Sequence, residues 1–273
     1  MRVGIIILPD RPWGEAKELW RRAEGYGFDH VWTYDHLGWR DLVDGPWFDS
    51  IATLTAAAHV TQRVKLGTMV ASPNFRHPVH FAREVTTLDD ISGGRLLLGL
   101  GAGGISGFDN QVLGREPLTR RQRVDRYGEF VELLHRLLRE GRVTHRGDYY
   151  AANDARCEVS EIPLILAAEG PRSMRIARRF GQGWVCGGEV TDSVEKWWAS
   201  VEKASRLNDS STVRFLILDP RSPVYSLSSV EHFRETVARA EQLGFTDVIT
   251  HWPRESSWFA GDQRVLEAVA STL

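Results

Sequence analysis

The sequence predicts a closed α/β barrel of eight parallel strands, each followed by a helix. Three observations predict it. Short apolar runs alternate with amphipathic helical patterns along the whole chain, eight times over. Residues 63–104 hold a complete strand–helix–strand unit, and parallel strands so joined require a right-handed crossover. The 273 residues also suit one such barrel, which commonly runs to about 250. No low-complexity linker breaks the alternation, so residues 1–273 read as a single domain.

Taken in order, residues 3–8 form the first strand, and Ala16, Leu19, Trp20 and Ala23 recur at helical spacing until Gly25 and Gly27. Residues 28–34 are the second strand and 48–59 the second helix. The third strand, 64–70, stops at Ser72-Pro73. Its helix opens at Pro78, where a missing N–H costs nothing, carries Phe81, Val85, Leu88 and Ile91 on one face, and ends at Gly93-Gly94. The fourth strand starts at Arg95 and closes on a glycine run, and a long helix follows over 119–140. Residues 144–151, with Gly147 central, read as an inserted hairpin. Strands over 163–168, 183–186, 213–218 and 245–250 alternate with helices over 171–181, 190–207, 229–243 and 262–273. The longest irregular stretches, 104–118 and 150–162, are expected to cover the barrel mouth.

A net charge of −2 argues against nucleic acid or a membrane surface as partner, and the longest apolar runs are strand-length. Cys157 and Cys186 form no metal or redox spacing, and no signal-like start is present, so a reduced, cytoplasmic protein is expected. Core packing explains most of the ten tryptophans, but Trp32, Trp39, Trp47, Trp252 and Trp258 lie near predicted strand ends, where aromatic walls suit a pocket.

Ligands in such folds gather at the carboxyl ends of the strands. The run Gly99-Leu100-Gly101-Ala102-Gly103-Gly104 formally fits a dinucleotide fingerprint, but it follows the fourth strand and leads into a loop rather than a helix. It reads either as a tight turn or as room for a flat ring. In Ala168-Glu169-Gly170-Pro171-Arg172, Gly170 frees the backbone and Pro171 starts a helix whose open N–H groups attract an anion. Arg172 adds a charge there, the plainer reading being an ordinary helix start with a solvated arginine. Asp35-His36 sits where the second strand leaves the barrel, and histidine there suits proton transfer or a structural hydrogen bond to the rim. His77 reads as a helix-entry residue, His251 as a pocket residue, and Glu84 as a solvated surface charge. No metal-binding spacing is recognisable.

At these residues the chain resembles the bacterial-luciferase-like superfamily of flavin and deazaflavin enzymes. The likeness rests on Gly27-Phe28-Asp29-His30-Val31-Trp32 with Asp35-His36, on Leu66-Gly67-Thr68 through Arg76-His77-Pro78, on Ser92-Gly93-Gly94-Arg95 through Gly103, and on Ala167-Ala168 through Pro171 with Gly183-Trp184. It is nearest to members using coenzyme F-420, a 5-deazaflavin hydride carrier, with FMN as the alternative cofactor. The resemblance implies a (β/α)8 barrel with insertions at its C-terminal mouth and a non-proline cis peptide at Met69-Val70, backing the ring together with Thr68. It sets Ala102, Gly103, Ala168 and Glu169 beside the cofactor and its phosphate near Gly170, Pro171 and Arg172. Asp35 and His36 match an acid/base pair, and Trp39, His251 and Trp252 become the substrate pocket. Some of those dehydrogenases carry glutamate where this chain has Gly104, which speaks against a sugar-phosphate substrate. The implied reaction is hydride transfer. The rivals are an FMN monooxygenase using oxygen and a barrel that binds flavin without turnover. Members are often dimers, so the resemblance admits a homodimer.

Overall fold

The computed structural model describes residues 1–104, 108–208 and 213–273. In chain order its elements are β1 (Arg2–Ile6), α1 (Trp13–Gly25), β2 (His30–Thr33), α2 (Ser50–Val60), β3 (Lys65–Thr68), α3 (Pro78–Ser92), β4 (Leu96–Leu100), α4 (Phe108–Val112) and α5 (Arg120–Glu140). There follow β5 (Arg142–Arg146), β6 (Ala151–Arg156), β7 (Leu164–Ala167), α6 (Pro171–Phe180), β8 (Gly183–Cys186), α7 (Val194–Leu207), β9 (Val213–Ile217), α8 (Val230–Gln242), β10 (Asp247–His251) and α9 (Gln263–Ala270). Eight of the strands close a parallel barrel in the order β1-β10-β9-β8-β7-β4-β3-β2, as the alternation in the sequence predicts. β1 seals it by pairing Arg2 with Asp247 through to Ile6 with His251.

Strand alternation sorts the apolar side chains into two layers. Ile6, Trp32, Ile165, Val185, Phe215 and Ile249 fill the barrel interior. Ile5, Val31, Leu66, Leu98, Leu166 and Val248 face the helices, against residues such as Trp20, Phe81 and Phe130. The base of the interior is polar but fully paired. Asp247 accepts two bonds of 2.7 Å from Arg2 and sits 3.1 Å from His30 Nε2, while Trp32 Nε1 donates to His30 Nδ1 at 2.6 Å. That bond makes Nδ1 the acceptor and leaves the proton on Nε2, facing the carboxylate. Burial works against the Asp247 charge, yet Arg2 and His30 hold its pKa down to about 2.

Helix ends follow their local chemistry. His77 caps α3 with Nδ1 accepting from Val79 N, Pro78 fills the first position, and Gly93 ends the helix at φ 68. Thr119 and Gln122 form a reciprocal cap on α5. Two helices start later than the sequence pattern predicts, because the capping side chain decides the boundary. Asp49 caps α2 and leaves Phe48 outside; Ser193 caps α7 and leaves Val190 exposed.

The hairpin is longer than residues 144–151. β5 and β6 pair from Arg142–Arg156 to Arg146–Ala151, and Glu129 on α5 accepts from the N–H groups of Tyr149 and Tyr150. Residues 151–156 are therefore strand flanking α5, not the mouth cover expected of the stretch 150–162. No helix among the described residues is long and apolar enough to cross a membrane.

Candidate active site

After β2 the chain leaves the barrel through Tyr34, Asp35 and His36, and the three side chains take three different surroundings. His36 Nδ1 lies 2.7 Å from Asp109 Oδ2, on the short helix α4. The other Asp109 oxygen accepts from Leu37 N at 2.8 Å, and Trp47 Nε1 donates to the His36 carbonyl at 2.8 Å. Asp109 is buried, whereas the His36 ring keeps 27% of its surface open. A carboxylate at Nδ1 fixes that proton in place, so the neutral ring presents a bare Nε2 to the opening. An imidazole oriented by a buried carboxylate is an arrangement that suits general acid/base chemistry.

Asp35 turns to the outside. Its carboxylate accepts from Ser50 Oγ at 2.6 Å and from two nitrogens of Arg76 at 2.7 and 3.2 Å. Arg76 also meets Glu84 at 2.9 Å and Asp49 at 3.1 Å, so Glu84 is part of an ion-pair network rather than a solvated charge. Burial opposes the Arg76 charge, but Asp35 and the other two carboxylates raise its pKa above the ordinary value.

Tyr34 points inward. Its hydroxyl lies 2.8 Å from His251 Nε2, and His251 Nδ1 lies 2.9 Å from Asp219 Oδ2. Asp219 also accepts from the N–H groups of His251 and Ser226, both at 2.8 Å. Burial pushes the Tyr34 phenol up and holds His251 below its usual imidazole value, against the pull of Asp219. The Tyr34 ring meets those of His36, Trp39 and His251 edge-on, with centroids 6.0, 5.2 and 5.5 Å away.

Two loops clasp over this floor. Phe259 stacks on His251 at 3.7 Å and on Trp39 at 5.8 Å. Trp258 Nε1 donates to Asp41 Oδ1 at 2.7 Å, and the Arg40 guanidinium lies 3.7 Å from the Trp258 ring centre. Among the described residues only four non-glycine positions have positive φ, and Arg40, Ser257 and Phe259 are three of them. Backbone held in that region clusters at ligand clamps. His251 is fully covered as a result, with Phe259 between it and the opening.

Opposite lie the ends of β3, β4 and β7. The Met69–Val70 peptide is cis, where the resemblance put it. A Cβ on Gly101 would stand 2.5 Å from Val70 Cγ2, and one on Gly103 2.5 Å from Asn74 Oδ1. Only glycines allow the β4 turn to lie this close against the bulge, forming a shelf in which Val70 and Asn74 fill the space that glycine side chains would need. Arg123 on α5 donates to the Gly103 carbonyl, and its Nε is buried without a hydrogen-bond partner among the described residues. Across the shelf Arg221 donates to Glu169 and, at 2.6 Å, to the Gly188 carbonyl.

A family model described as luciferase-like monooxygenase matches residues 1–220. The chain belongs to the luciferase-like monooxygenase family. A curated relative, the F-420-dependent glucose-6-phosphate dehydrogenase of Amycolatopsis mediterranei, is 36% identical over 171 residues, which are 60% of this chain and 50% of the relative. The 4-hydroxyprotoasukamycin monooxygenase of Streptomyces nodosus subsp. asukaensis is 32% identical over 226 residues, 74% of this chain and 58% of that one. The chain thus spans about half the length of the curated relatives it matches. The solved structure of the coenzyme F-420-dependent tetrahydromethanopterin reductase from Methanopyrus kandleri superposes with a TM-score of 0.74. That match covers 98% of this chain and 97% of the other at 18% identity, a likeness of fold alone.

In this luciferase-like barrel the predicted residues divide sharply. His36, Trp39, Met69, Val70, Ala102 and Gly103 are at the mouth. His251 is there too, but beneath Phe259. Trp252 is not: its ring stacks on Tyr26, just past the end of α1, at 6.1 Å, outside the barrel. Trp32 belongs to the barrel interior. Thr68 is fully buried and donates to the Gly99 carbonyl at 2.8 Å, tying β3 to β4. Ala168 accepts from Trp184 Nε1 at 2.7 Å, behind the shelf. Gly170 and Pro171 open α6 as expected, yet Arg172 turns to Asp125 on α5. Asp109, Tyr34, Asp219, Arg123 and Arg221 had no motif to mark them; only the contact with a strand-end histidine or glycine reveals them. Part of the loop after Gly104, expected to roof the site, lies outside the described residues at 105–107.

Proposed function

We propose that this barrel is an oxidoreductase that works with coenzyme F-420 on a small organic substrate, as a single domain whose site residues are those at the mouth. When bound, that cofactor supplies a deazaflavin ring able to give or accept hydride. Met69, Val70, Ala102 and Gly103 would hold the ring against the glycine shelf, and the Arg123 Nε, unpartnered among the described residues, fits an anionic group beside Gly103 and the α6 start. His36 takes or gives the substrate proton at Nε2, Asp109 keeps the ring oriented, and Trp39 and Phe259 exclude water. Asp35 positions His36 from behind rather than handling the proton. His251, Tyr34 and Asp219 form the floor under the substrate.

The observation that carries this reading is the His36–Asp109 couple facing the same mouth as the glycine shelf. The names of the relatives support it, and Gly104 leaves no carboxylate where some sugar-phosphate dehydrogenases have one, so another small molecule is the better substrate class. The second reading, an FMN monooxygenase, is favoured by the Streptomyces relative. Cytoplasmic location and assembly as a homodimer belong to the same proposal. Equilibrium titration with coenzyme F-420 and with FMN, read by quenching of tryptophan fluorescence, separates the two. Coenzyme F-420 should bind at least about tenfold more tightly. Tight FMN binding without F-420 binding would sink the deazaflavin reading.

A further inference from the structure

Beyond Arg123, two more arginines converge on one buried residue. Arg126, one turn along α5, donates through Nη2 to Asn74 Oδ1 at 2.6 Å, and Arg115 donates to the Asn74 carbonyl. Asn74 is 1% exposed and its side chain abuts Gly103, so it anchors both guanidinium groups at the edge of the shelf. Arg126 Nε, like Arg123 Nε, is buried with no hydrogen-bond partner among the described residues. Among the described residues no carboxylate forms an ion pair with Arg126. Its charged neighbours are Arg115 and Arg123, with the hydroxyls of Tyr150 and Tyr149 alone favouring its charge. Burial and those like charges hold its pKa below the ordinary value. The contrast with Arg76 is instructive: that buried guanidinium is met by three carboxylates. Like charges gathered at a half-buried rim, with donors left over, are complementary to an anion from outside the chain.

We propose that Arg115 and Arg126 form a second anion seat, next to Arg123, for a ligand tail bearing several carboxylate or phosphate charges. The seat deepens the reading of the mouth as a deazaflavin site and rests on it for the identity of the ring, though not for the anion chemistry. A single phosphate is met by Arg123. The additional pair therefore fits charge carried beyond it.

The test uses the full chain and an Arg115→Gln, Arg126→Gln double variant whose circular dichroism and melting match the unaltered protein. Three probes are titrated: coenzyme F-420 with its oligoglutamate tail, the same deazaflavin with phosphate but no glutamate, and ribityl deazaflavin lacking both. The double variant should weaken the tailed coenzyme about tenfold or more and leave ribityl deazaflavin unchanged. A loss confined to the tailed probe assigns the seat to carboxylates, and an equal loss for the phosphate probe assigns it to phosphate. Unchanged affinity for all three overturns the seat while the ring site stands. If no deazaflavin binds the unaltered protein, the proposed function falls. Free γ-triglutamate and inorganic pyrophosphate then decide the seat: thermal stabilisation lost in the double variant supports it, and its absence in the unaltered protein overturns it.

Discussion

A His36→Ala variant is expected to bind coenzyme F-420 as the unaltered protein does and to turn over about 10²–10⁴-fold more slowly, the usual range for removing a positioned acid/base. The reason is geometric. His36 leaves the barrel at the end of β2 with its Nδ1 fixed 2.7 Å from a buried carboxylate, and only Nε2 is free to meet a substrate. Asp109→Asn should show a smaller loss with a different signature. An amide can present either N–H or C=O to Nδ1, so the fixed tautomer becomes a mixture and kcat falls while KM stays near its original value. Pre-steady-state kinetics with saturating cofactor measures both. Full turnover in His36→Ala with normal cofactor binding would remove the histidine from the chemistry.

Arg76→Ala should destabilise the fold by about 3–5 kcal/mol, because it leaves Asp35 as an uncompensated buried charge. Asp35 is 1% exposed and, among the described residues, has only Ser50 as its other hydrogen-bonding side chain. Replacing both Arg76 and Asp35 with leucine should recover much of the loss, since a buried ion pair is often no more stabilising than apolar residues of similar volume. Urea unfolding of Arg76→Leu, Asp35→Leu and the double variant reads the coupling. A loss below about 1 kcal/mol for Arg76→Ala would mean that water reaches Asp35 and that the network does not hold the His36 loop.

These two neighbours show what the sequence could and could not tell. Asp35 and His36 look alike at the end of a strand, but successive residues there point to opposite sides. His36 reaches the mouth and Asp35 reaches Arg76. The same alternation separates His251, under the site, from Trp252, against α1. Applied past the last strand residue, that rule would have excluded Trp252 from the pocket. The barrel itself was legible because eight apolar runs are punctuated by glycine, proline and capping side chains, and Pro78, Gly93 and Thr119 act as those residue types dictate. The Met69–Val70 cis bond had no local signal and came only from resemblance. Asp109 and Arg126 were not legible at all. Each acts on a partner more than fifty residues away, His36 and Asn74, and no periodicity encodes such a meeting.

The most direct measurement is a crystal structure of the protein with coenzyme F-420 bound. The account predicts the deazaflavin ring on the shelf formed by Met69, Val70 and the glycines of the β4 turn, with His36 Nε2 open towards the ring's free face. A ring bound elsewhere on the barrel, or a His36 turned away from it with Asp109 still in place, would contradict the account.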